Sequence, residues 1–577
     1  MKRISAYLMI LMLLLVFTPS PATSEESAYV DILHYDLNVQ VSPEGHELYV
    51  VASLHLKALK DGVSSVSFLL NNGLELSSVK DGKGESLSFD RDGNDVIVFL
   101  NDPLNEGEER VIKFEYSGIL KIEEKIGRYG FWGYIGPEGS YMIYESVWYP
   151  MIWGERSTAE ISIRVPKGQT AISVGELREI KDDGEYSTFV WQAYIPTRGI
   201  SFTAAEYKLK STQYKHTDVK CYIFSKAPYI ANKCLQISID ILDFYSSKFG
   251  EYPYSKFAVT EIPEFFSGGH GDQGFIMMDS NLFRSSLPPE FLAHEIAHNW
   301  WGALVFAEGE NSLRSVKGFW NFPEAQSRTE GEEYNYWLLE GFATYSGLLY
   351  IEHEDGRKKM IDSLEDKRKE YLDKIKEYSD EPILGVEEEY GEGRYHAIVY
   401  SKGAWVLHML RYVVGDQIYF DIMRNYARQF EGKSANIEDF QEISEGVYGR
   451  DMDWFFDQWI RGTALPDYAI GDVAVTENSG RYSIKASILQ RGDMTQMPVD
   501  ITLHTKGLEV TKRVWIDEPV ESVTFTAYAQ PGYLEIDQDY WILESNKFNN
   551  IYFFEYSPTL KTLKSIILRL KRILYLF

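Results

Sequence analysis

The sequence predicts a multidomain α+β protein, with β-rich segments near both ends of the chain and a mainly helical segment between them. Three observations support this fold class. The chain has 577 residues, which is too long for one ordinary domain. Alternating apolar and polar residues dominate the first third of the chain and return near its end. In between, apolar residues recur mainly at helical spacing.

The first folded segment, residues 25–207, is predicted to be an antiparallel β-sheet domain. Residues 35–41, 49–56 and 95–100 alternate apolar and polar side chains, as half-buried strands do. Gly, Asp and Asn residues that favour turns separate these runs.

Residues 1–24 have the pattern of a secretory signal peptide. A basic start, Met1-Lys2-Arg3, precedes a short apolar run and a zone of small residues. We therefore expect a secreted or extracellular protein. In an oxidising compartment the two cysteines, Cys221 and Cys234, could form a disulfide, and two buried thiols are an equally weighted alternative.

The overall charge and composition exclude some classes of partner. The formal net charge is −28, whereas nucleic-acid binding needs basic surface, so no nucleic-acid partner is expected. With 44% hydrophobic residues the chain can bury a large core, which argues against general disorder.

The segment 208–465 contains the motif that carries the functional argument. In His294-Glu295-Ile-Ala-His298 the two histidines are four residues apart, so on a helix their imidazoles share one face. Two such imidazoles bind one Zn²⁺, and the glutamate beside them can act as the base for an activated water. Pro289 suits the start of this helix. The alternative is a surface helix on which two histidines have this spacing by chance.

Other helices are predicted around this motif. Residues 233–249 form an amphipathic pattern, and helical patterns dominate from residue 334 to residue 462. Residues 362–378 are densely charged and are predicted to form a solvated helix, whereas residues 399–410 are largely apolar and are predicted to be buried.

A small β-sandwich is predicted over residues 466–545, followed by a tail, 546–577. At helical spacing, the cations of residues 558–577 fall on one side and most Leu and Ile residues on the other. Such a helix suits a membrane interface, which would place the protein peripherally at the outer membrane surface. A helix packed on the body of the protein is the alternative.

A catalytic zinc needs a third protein ligand and an open position for water. The motif around His294 and His298, followed by Trp337-Leu-Leu-Glu340-Gly, resembles the paired signature of the M1 family of gluzincin metallopeptidases, which includes aminopeptidase N and leukotriene A4 hydrolase. The resemblance implies a thermolysin-like catalytic α/β domain with a helical C-terminal lobe, between the first β domain and the sandwich. It also implies one Zn²⁺ per chain, held by His294, His298 and Glu340, and a peptide or protein substrate.

Two tyrosines extend the resemblance. Tyr400-Ser-Lys-Gly resembles the Tyr-x-Lys-Gly segment of the family, in which the tyrosine hydrogen-bonds the oxyanion of the tetrahedral intermediate. Tyr400 matches that residue, and Tyr395 matches a second tyrosine present in some members. Taken alone, Tyr400 would be interpreted as a core tyrosine.

One departure from the family concerns the loop that binds the substrate's free α-amine. The family's Gly-Ala-Met-Glu-Asn corresponds by position to residues 268–272, and Gly271 replaces the amine-binding glutamate. Asp272, or Glu145 from the first β domain, is therefore the candidate for supplying the negative charge. The loop contains the glycines Gly268, Gly269 and Gly271, which allow another backbone to approach closely. We expect the backbone of these glycines to pair with an extended peptide substrate.

A second departure is an insertion of roughly residues 308–333 between His298 and Glu340. It could line or gate the substrate cleft, or it could be a surface loop, because loop insertions cost little stability.

These observations predict zinc-dependent hydrolysis of peptide bonds by a secreted M1-like aminopeptidase. Glu295 would activate the water and Tyr400 would stabilise the oxyanion. Two alternatives remain open: an endopeptidase or processing protease that lacks the amine anchor, and a non-catalytic surface binding protein on a peptidase scaffold.

Overall fold

A computed structural model of the chain describes residues 29–120, 132–224, 228–266, 268–284, 287–308, 335–386 and 393–554. The predicted signal peptide, the segment 309–333 of the predicted insertion and the basic tail 558–577 lie outside the described residues. Within the described part of the chain, no helix is both long enough and apolar enough to span a membrane.

Strands form the first region, and their apolar faces make one continuous core. They are β1 (Val30–Ser42), β2 (Glu47–Ala58), β3 (Val63–Leu69), β4 (Leu74–Asp81), β5 (Ser88–Asp92), β6 (Asp95–Leu104), β7 (Glu109–Gly118), β8 (Gly133–Tyr134), β9 (Ser140–Met142), β10 (Ser157–Pro166), β11 (Thr170–Ser173), β12 (Glu176–Asp182), β13 (Tyr186–Thr197) and β14 (Phe202–Ala205). The largest sheet has the order β12-β13-β10-β1-β2-β7-β4. Smaller sheets have the orders β11-β14-β9-β8 and β3-β6-β5.

The largest sheet departs at one pair from the antiparallel arrangement predicted for this region. Strands β1 and β10 run parallel, with Leu37 opposite Ile161, whereas the other pairs of the sheet are antiparallel. Parallel neighbours need a long connection, and more than a hundred residues separate these two strands along the chain. Periodicity within one strand carries no information about which distant strand lies beside it.

A five-stranded mixed sheet follows the first region. Its strands are β15 (Lys208–Tyr214), β16 (Thr217–Ile223), β17 (Lys256–Ile262), β18 (Gly269–Asp272) and β19 (Phe275–Asp279), in the order β15-β16-β17-β19-β18. Every residue of β17 is buried. Ala258 and Ile262 pack into the core of the first region, whereas Val259 packs with the helices on the other face. Strand β18 forms one edge of this sheet.

Helices build most of the region between this mixed sheet and the β-sandwich. They are α1 (Pro228–Phe249), α2 (Ser280–Arg284), α3 (Pro289–Ala297), α4 (Phe342–Asp355), α5 (Arg357–Tyr378), α6 (Gly403–Val414), α7 (Asp416–Gln429), α8 (Ile437–Tyr448) and α9 (Asp453–Trp459). Two π-helical segments, Trp337–Gly341 and His396–Lys402, lead into α4 and α6. The short strands β20 (Phe306–Ala307) and β21 (Ser434–Ala435) pair in parallel.

Two helices differ from the predictions. Helix α1 begins at Pro228, five residues before the predicted start, because proline is tolerated in a first helical turn. Helix α5 is not simply solvated, since it buries Met360, Leu364 and Tyr371. Most of its charges lie on the remaining face, although Arg368 is buried.

The β-sandwich consists of β22 (Tyr468–Asn478), β23 (Arg481–Gln490), β24 (Met497–Thr505), β25 (Leu508–Ile516), β26 (Val520–Ala527), β27 (Pro531–Ile536) and β28 (Ile551–Phe553). Its sheets have the orders β22-β23-β26 and β25-β24-β27-β28. The sandwich therefore continues past the predicted boundary at residue 545, because β28 pairs with β27. Three residues are too few to show a strand period in the sequence.

The two cysteines are free and buried. Cys221 lies on β16 and Cys234 lies on α1. Burial, followed by the neighbouring Cys234 thiol, raises the pKa of Cys221 well above its ordinary value. The two cysteines are therefore unpaired, buried side chains in this structure, which corresponds to the second of the two predicted alternatives.

Candidate active site

Helix α3 and the segment Trp337–Gly341 bring three metal-binding side chains together. The Nε2 atoms of His294 and His298 are 3.2 Å apart, and Glu340 Oε2 lies 3.5 Å from each of them. Four-coordinate zinc with bonds of about 2.0–2.2 Å separates its ligand atoms by about 3.3–3.5 Å. The three donors therefore already have the spacing of a tetrahedral zinc site.

Hydrogen bonds behind the two histidines set their orientation. The Nδ1–H of His298 donates to the Trp301 carbonyl oxygen at 3.0 Å, so its Nε2 carries the lone pair that a metal needs. His294 Nδ1 lies 3.4 Å from the Thr344 hydroxyl. The sequence motif did not identify Thr344, which lies on α4, fifty residues further along the chain.

The two π-helical segments pack on each other through the indole of Trp337. Trp337 Nε1–H donates to the Gly403 carbonyl oxygen at 3.0 Å. A Cβ added to Gly341 would lie 2.3 Å from Trp337 Cδ1, and one added to Gly403 would lie 2.6 Å from the same atom. Both glycines are therefore needed for close packing. This contact joins the segment that carries Glu340 to the segment that carries Tyr400, and such π-helical turns occur often at functional sites.

Strand β18 lies directly against α3, beside Glu295. A Cβ on Gly269 would lie 2.6 Å from the Glu295 carboxyl carbon. A Cβ on Gly271 would lie 2.8 Å from both the Glu295 carbonyl oxygen and His298 Cβ. Only glycine at these positions permits this approach. A larger residue at position 271, such as the family's glutamate, would require the strand to move away from the helix.

Glu295 is buried at the floor of the cleft. Burial raises its pKa above the ordinary glutamate value, although the two histidines oppose this effect. A raised pKa makes its carboxylate a better proton acceptor near neutral pH, as general-base catalysis requires. Burial would raise the pKa of Glu340, but the charges of the two histidines outweigh burial and hold this pKa well below its ordinary range. Glu340 is therefore an anionic donor.

These residues open onto a cleft of about 630 Å³ between the first β region and the helices. Its walls include charged side chains from distant parts of the chain. The lining residues are Glu145, Arg198, Gly268, Gly269, His270, Gly271, Pro288, Glu290, Phe291, His294, Glu295, His298, Glu340, Thr344, Lys367, His396 and Tyr400.

The two predicted tyrosines have different environments. The Tyr400 ring lines the cleft and stacks on His294, with ring centroids 6.1 Å apart and an interplanar angle of 12°. Tyr395 is not part of the cleft wall. It packs edge-on against Tyr400 at 6.2 Å and against Tyr336 at 6.3 Å. Tyr400 is therefore placed to contact a substrate, whereas Tyr395 supports its position.

Glu145 and His270 lie in one wall of the cleft, with Asp272 buried behind them. Glu145 Oε2, His270 Nε2 and Asp272 Oδ2 are all buried and have no hydrogen-bond partner among the described residues. His270 Nε2 lies 3.8 Å from Asp272 Oδ2. Burial alone would lower the pKa of His270, but the charges of Glu145 and Asp272 outweigh it and raise the pKa. Asp272 does not line the cleft, so the prediction that it binds the amine directly is not supported, and Glu145 is the accessible carboxylate of the pair.

The turn that presents Glu145 contains a strained residue. Glu145 lies in the short 3-10 turn Tyr144–Ser146, and the next residue, Val147, has a φ of 47°. β-branched residues rarely adopt this left-handed conformation. Hydrogen bonds hold it on both sides, because the amide of Asn71 donates to the Val147 carbonyl oxygen at 2.8 Å and the Val147 amide donates to Tyr144 at 2.9 Å. Such strain is concentrated at functional sites.

Several cleft residues had no signal in the sequence, in particular Arg198, His270, Lys367 and His396. His270 lies within the loop 268–272, but the sequence pattern indicates no function for it. The other three come from a strand connection, from α5 and from a π-helical segment. Isolated charged residues of this kind are indistinguishable in the sequence from solvent-exposed ones. Only the described fold shows that they face one cleft.

Comparison with known proteins supports the resemblance seen in the motifs. Residues 329–459, which carry Glu340 and Tyr400, match the family model for the peptidase family M1 domain. Over residues 329–459 this chain is similar to peptidase family M1. The predicted resemblance to M1 zinc metallopeptidases is thereby confirmed, and so is the implied zinc cofactor of that family.

Curated relatives and solved structures extend the match beyond the family domain. The chain is 24% identical over 470 residues to probable aminopeptidase 1 of Sulfurisphaera tokodaii, covering 76% of this chain and 54% of the relative. It is 22% identical over 514 residues to aminopeptidase 2 of Candida albicans, covering 82% of this chain and 52% of the relative. The chain thus spans about half the length of these relatives.

The solved structures show the same fold. An M1 zinc metallopeptidase from Deinococcus radiodurans superposes with a TM-score of 0.60 at 19% identity, covering 76% of this chain and 96% of that chain. Aminopeptidase A of Legionella pneumophila superposes with a TM-score of 0.69 at 16% identity, covering 92% of this chain and 60% of that chain. The architecture of a β-rich region, a mixed α/β region and a helical lobe in these structures therefore holds for this chain.

Proposed function

We propose that this protein is a zinc-dependent peptidase that removes residues from free amino termini. The observation that carries the proposal is the spacing of His294, His298 and Glu340, whose donor atoms lie 3.2–3.5 Å apart beside Glu295. Two nitrogens and one carboxylate, with solvent access from the cleft, are a typical donor set for catalytic zinc. A merely structural zinc site would normally be closed by a fourth protein ligand.

The glycines of β18 define how a peptide would lie. Gly268 is near the Phe291 ring, Gly269 is beside Glu295, and Gly271 is beside His298. Strand β18 and helix α3 therefore run in the same direction along the cleft. Because β18 is an edge strand, an extended peptide can add to it antiparallel. The amino end of such a peptide would point toward Gly271 and Glu145.

The catalytic roles follow from this placement. His294, His298 and Glu340 would hold the zinc ion, which would supply a Lewis acid for the scissile carbonyl and for water. Glu295, whose pKa is raised by burial, accepts the proton of the attacking water and transfers it to the departing amine. The Tyr400 hydroxyl donates a hydrogen bond to the oxyanion, which is typically worth about 3 kcal/mol of the barrier.

Glu145 is proposed to bind the α-ammonium group of the substrate. Its buried Oε2 has no hydrogen-bond partner in the part of the chain that the structure describes, and a buried acceptor of this kind costs about 1–3 kcal/mol unless a ligand satisfies it. Glu145 lies in the cleft wall at the end of β18 where an antiparallel peptide begins.

An endopeptidase is the second candidate, and one specific observation favours it. Gly271 replaces the family's amine-binding glutamate, and a Cβ at this position would lie 2.8 Å from both Glu295 and His298, which leaves no room for a glutamate side chain. If Glu145 alone does not bind the amine, blocked and free peptides would be cleaved equally.

A pair of fluorogenic peptides distinguishes the two candidates. The peptides share one sequence and differ only in acetylation of the amino terminus. We expect wild-type protein loaded with zinc to cleave the free peptide at least tenfold faster, as judged by kcat/KM. Glu145→Gln should raise KM for the free peptide and leave cleavage of the blocked peptide unchanged. Equal rates on both peptides would establish the endopeptidase.

Glu295→Gln tests whether the site is catalytic at all. It retains the three zinc ligands, so bound zinc measured by mass spectrometry should stay at one per chain. Turnover should fall by about 100- to 10,000-fold, because a general base is lost. If wild-type, zinc-loaded protein cleaves no member of a mixed peptide library, the peptidase proposal is wrong and the binding-scaffold alternative gains support.

We also propose that the protein is exported. The support is the basic and apolar pattern of residues 1–24. Amino-terminal sequencing of protein recovered from the medium or cell envelope should find a start near residue 25. Recovery of the uncleaved chain from the cytoplasm would contradict export.

A further inference from the structure

The imidazole of His396 packs on the ring of Tyr400, although the chemistry proposed above does not use His396. The two residues are four apart in the π-helical segment His396–Lys402, so their side chains are neighbours on its surface. Their rings are nearly parallel, with centroids 4.4 Å apart and an interplanar angle of 22°. This contact is closer than the one between Tyr400 and His294, whose ring centroids are 6.1 Å apart.

Glu370, on α5, fixes the position of His396. Glu370 Oε1 lies 2.8 Å from His396 Nδ1, and Glu370 Oε2 accepts a hydrogen bond from the Ser401 hydroxyl at 2.8 Å. Burial would raise the pKa of Glu370, but the hydrogen bonds from His396 and Ser401 outweigh burial and lower this pKa to about 2. An ionised carboxylate can only accept hydrogen bonds, so His396 Nδ1 carries the hydrogen. One carboxylate therefore holds a residue on each side of Tyr400 in the chain.

The backbone of the same segment has a separate anchor at its end. Lys402 is buried, and its Nζ lies 3.4 Å from Asp380 Oδ2. Asp380 Oδ2 also accepts a hydrogen bond from the Tyr371 hydroxyl at 2.6 Å. Removal of the His396 side chain should therefore leave the backbone in place and change mainly the freedom of the Tyr400 side chain.

We propose that His396, held by Glu370, is a positioning residue that fixes the Tyr400 hydroxyl where it stabilises the oxyanion. This inference rests on the role proposed above for Tyr400 in peptide hydrolysis. A hydrogen-bond donor stabilises an oxyanion best when it is already in place before the reaction. Catalytic side chains achieve this when packing and hydrogen bonds from surrounding residues restrict their rotation. A ring that is itself hydrogen-bonded to a carboxylate restricts the Tyr400 ring in this way.

A double-mutant cycle in the full-length, zinc-loaded protein tests whether His396 acts through Tyr400. We expect His396→Ala and Glu370→Ala each to lower kcat about tenfold, less than the roughly 100-fold cost of a 1 Å displacement of a catalytic group. KM should stay within about twofold, because substrate binding is not the step affected. Tyr400→Phe should lower kcat by about 100- to 1,000-fold, as loss of an oxyanion donor does.

The decisive comparison is made in the Tyr400→Phe background. Neither His396→Ala nor Glu370→Ala should lower kcat further there, because the hydroxyl that they position is absent. His396 also lines the cleft, so a direct contact with the substrate is the competing explanation. Additive losses of kcat, or a rise in KM in His396→Ala, would overturn the proposal in favour of that contact.

Fluorine NMR gives a second readout that does not depend on catalysis. 3-Fluorotyrosine in place of Tyr400 reports the ring current of the neighbouring imidazole. Glu370→Ala should move this resonance toward its position in His396→Ala, because the imidazole is no longer held on the Tyr400 ring. An unchanged resonance in Glu370→Ala would overturn the proposal.

Asp373→Asn is the matched control, because Asp373 is an exposed acid on the same helix as Glu370. It should match the wild type in kcat, in KM and in the fluorine resonance. Circular dichroism checks that each variant is folded, and zinc content should stay at one per chain. Loss of zinc in His396→Ala would overturn the proposal, because the effect would then arise at the metal site. If the wild type cleaves no peptide, the proposed function fails, whereas the fluorine resonances still decide whether Glu370 and His396 hold Tyr400.

Discussion

Substitution of Gly403 by alanine tests whether the contact between the two π-helical segments positions the active site. The new methyl group would lie 2.6 Å from Trp337 Cδ1 and 3.1 Å from Trp337 Nε1. Carbon atoms in contact are normally about 3.5–4.0 Å apart, so the overlap is about 1 Å. The indole cannot move away freely, because it is buried and packs edge-on against Phe342 and Phe440.

The expected magnitude follows from this overlap. Overpacking of a buried contact costs about 1–3 kcal/mol of stability. A displacement of about 1 Å in a catalytic group costs roughly 100-fold in rate. Gly403 begins α6, directly after the segment that carries Tyr400, and Trp337 begins the segment that carries Glu340. We therefore expect Gly403→Ala to lower the Tm and to reduce kcat/KM by about 100-fold.

Thermal melting, zinc content and peptidase kinetics are the assays. Gly446→Ala is the matched control, since Gly446 is also helical but a Cβ there meets nothing within 4 Å. Its stability should be unchanged or higher by up to about 1 kcal/mol, because alanine favours helix. If Gly403→Ala matches this control in Tm and in kcat/KM, the packing argument is refuted.

Three further predictions concern the metal and the pH dependence. Gly271→Ala should reduce zinc affinity about tenfold in a chelator competition, because its methyl group would meet His298 Cβ at 2.8 Å; unchanged affinity would show that β18 yields freely. Removal of zinc by a chelator should abolish peptide cleavage, and added zinc should restore it; full activity in metal-free protein would contradict the proposed chemistry. Burial raises the pKa of Glu544 to about 8 from its ordinary 4.5, so the folded state holds a proton that the unfolded state releases between these values. Stability should therefore fall as pH rises from about 4.5 to about 8, and Glu544→Gln should flatten this part of the Tm profile; an identical slope in the variant would assign the dependence to other groups.

Local patterns in the sequence predicted most of the architecture. The β-rich regions and helix α3, which carries the two histidines, follow from short-range periodicity, which depends only on neighbouring residues. Parallel pairing of β1 with β10 was not predicted, because it joins strands far apart in the chain. Strand β28 was too short to recognise, and the buried face of α5 was hidden by its many charges.

The amino-acid sequence by itself determined the zinc-binding motif, its neighbouring base and the resemblance that pointed to Glu340 and Tyr400. These signals are local, since a helix places residues four apart on one face wherever it occurs. Only the tertiary structure decided that Glu145 lines the cleft while Asp272 is buried behind His270. It also showed that Trp337 and two glycines join the zinc-ligand segment to the tyrosine segment. Such contacts depend on how distant elements pack, and no spacing within the chain encodes them.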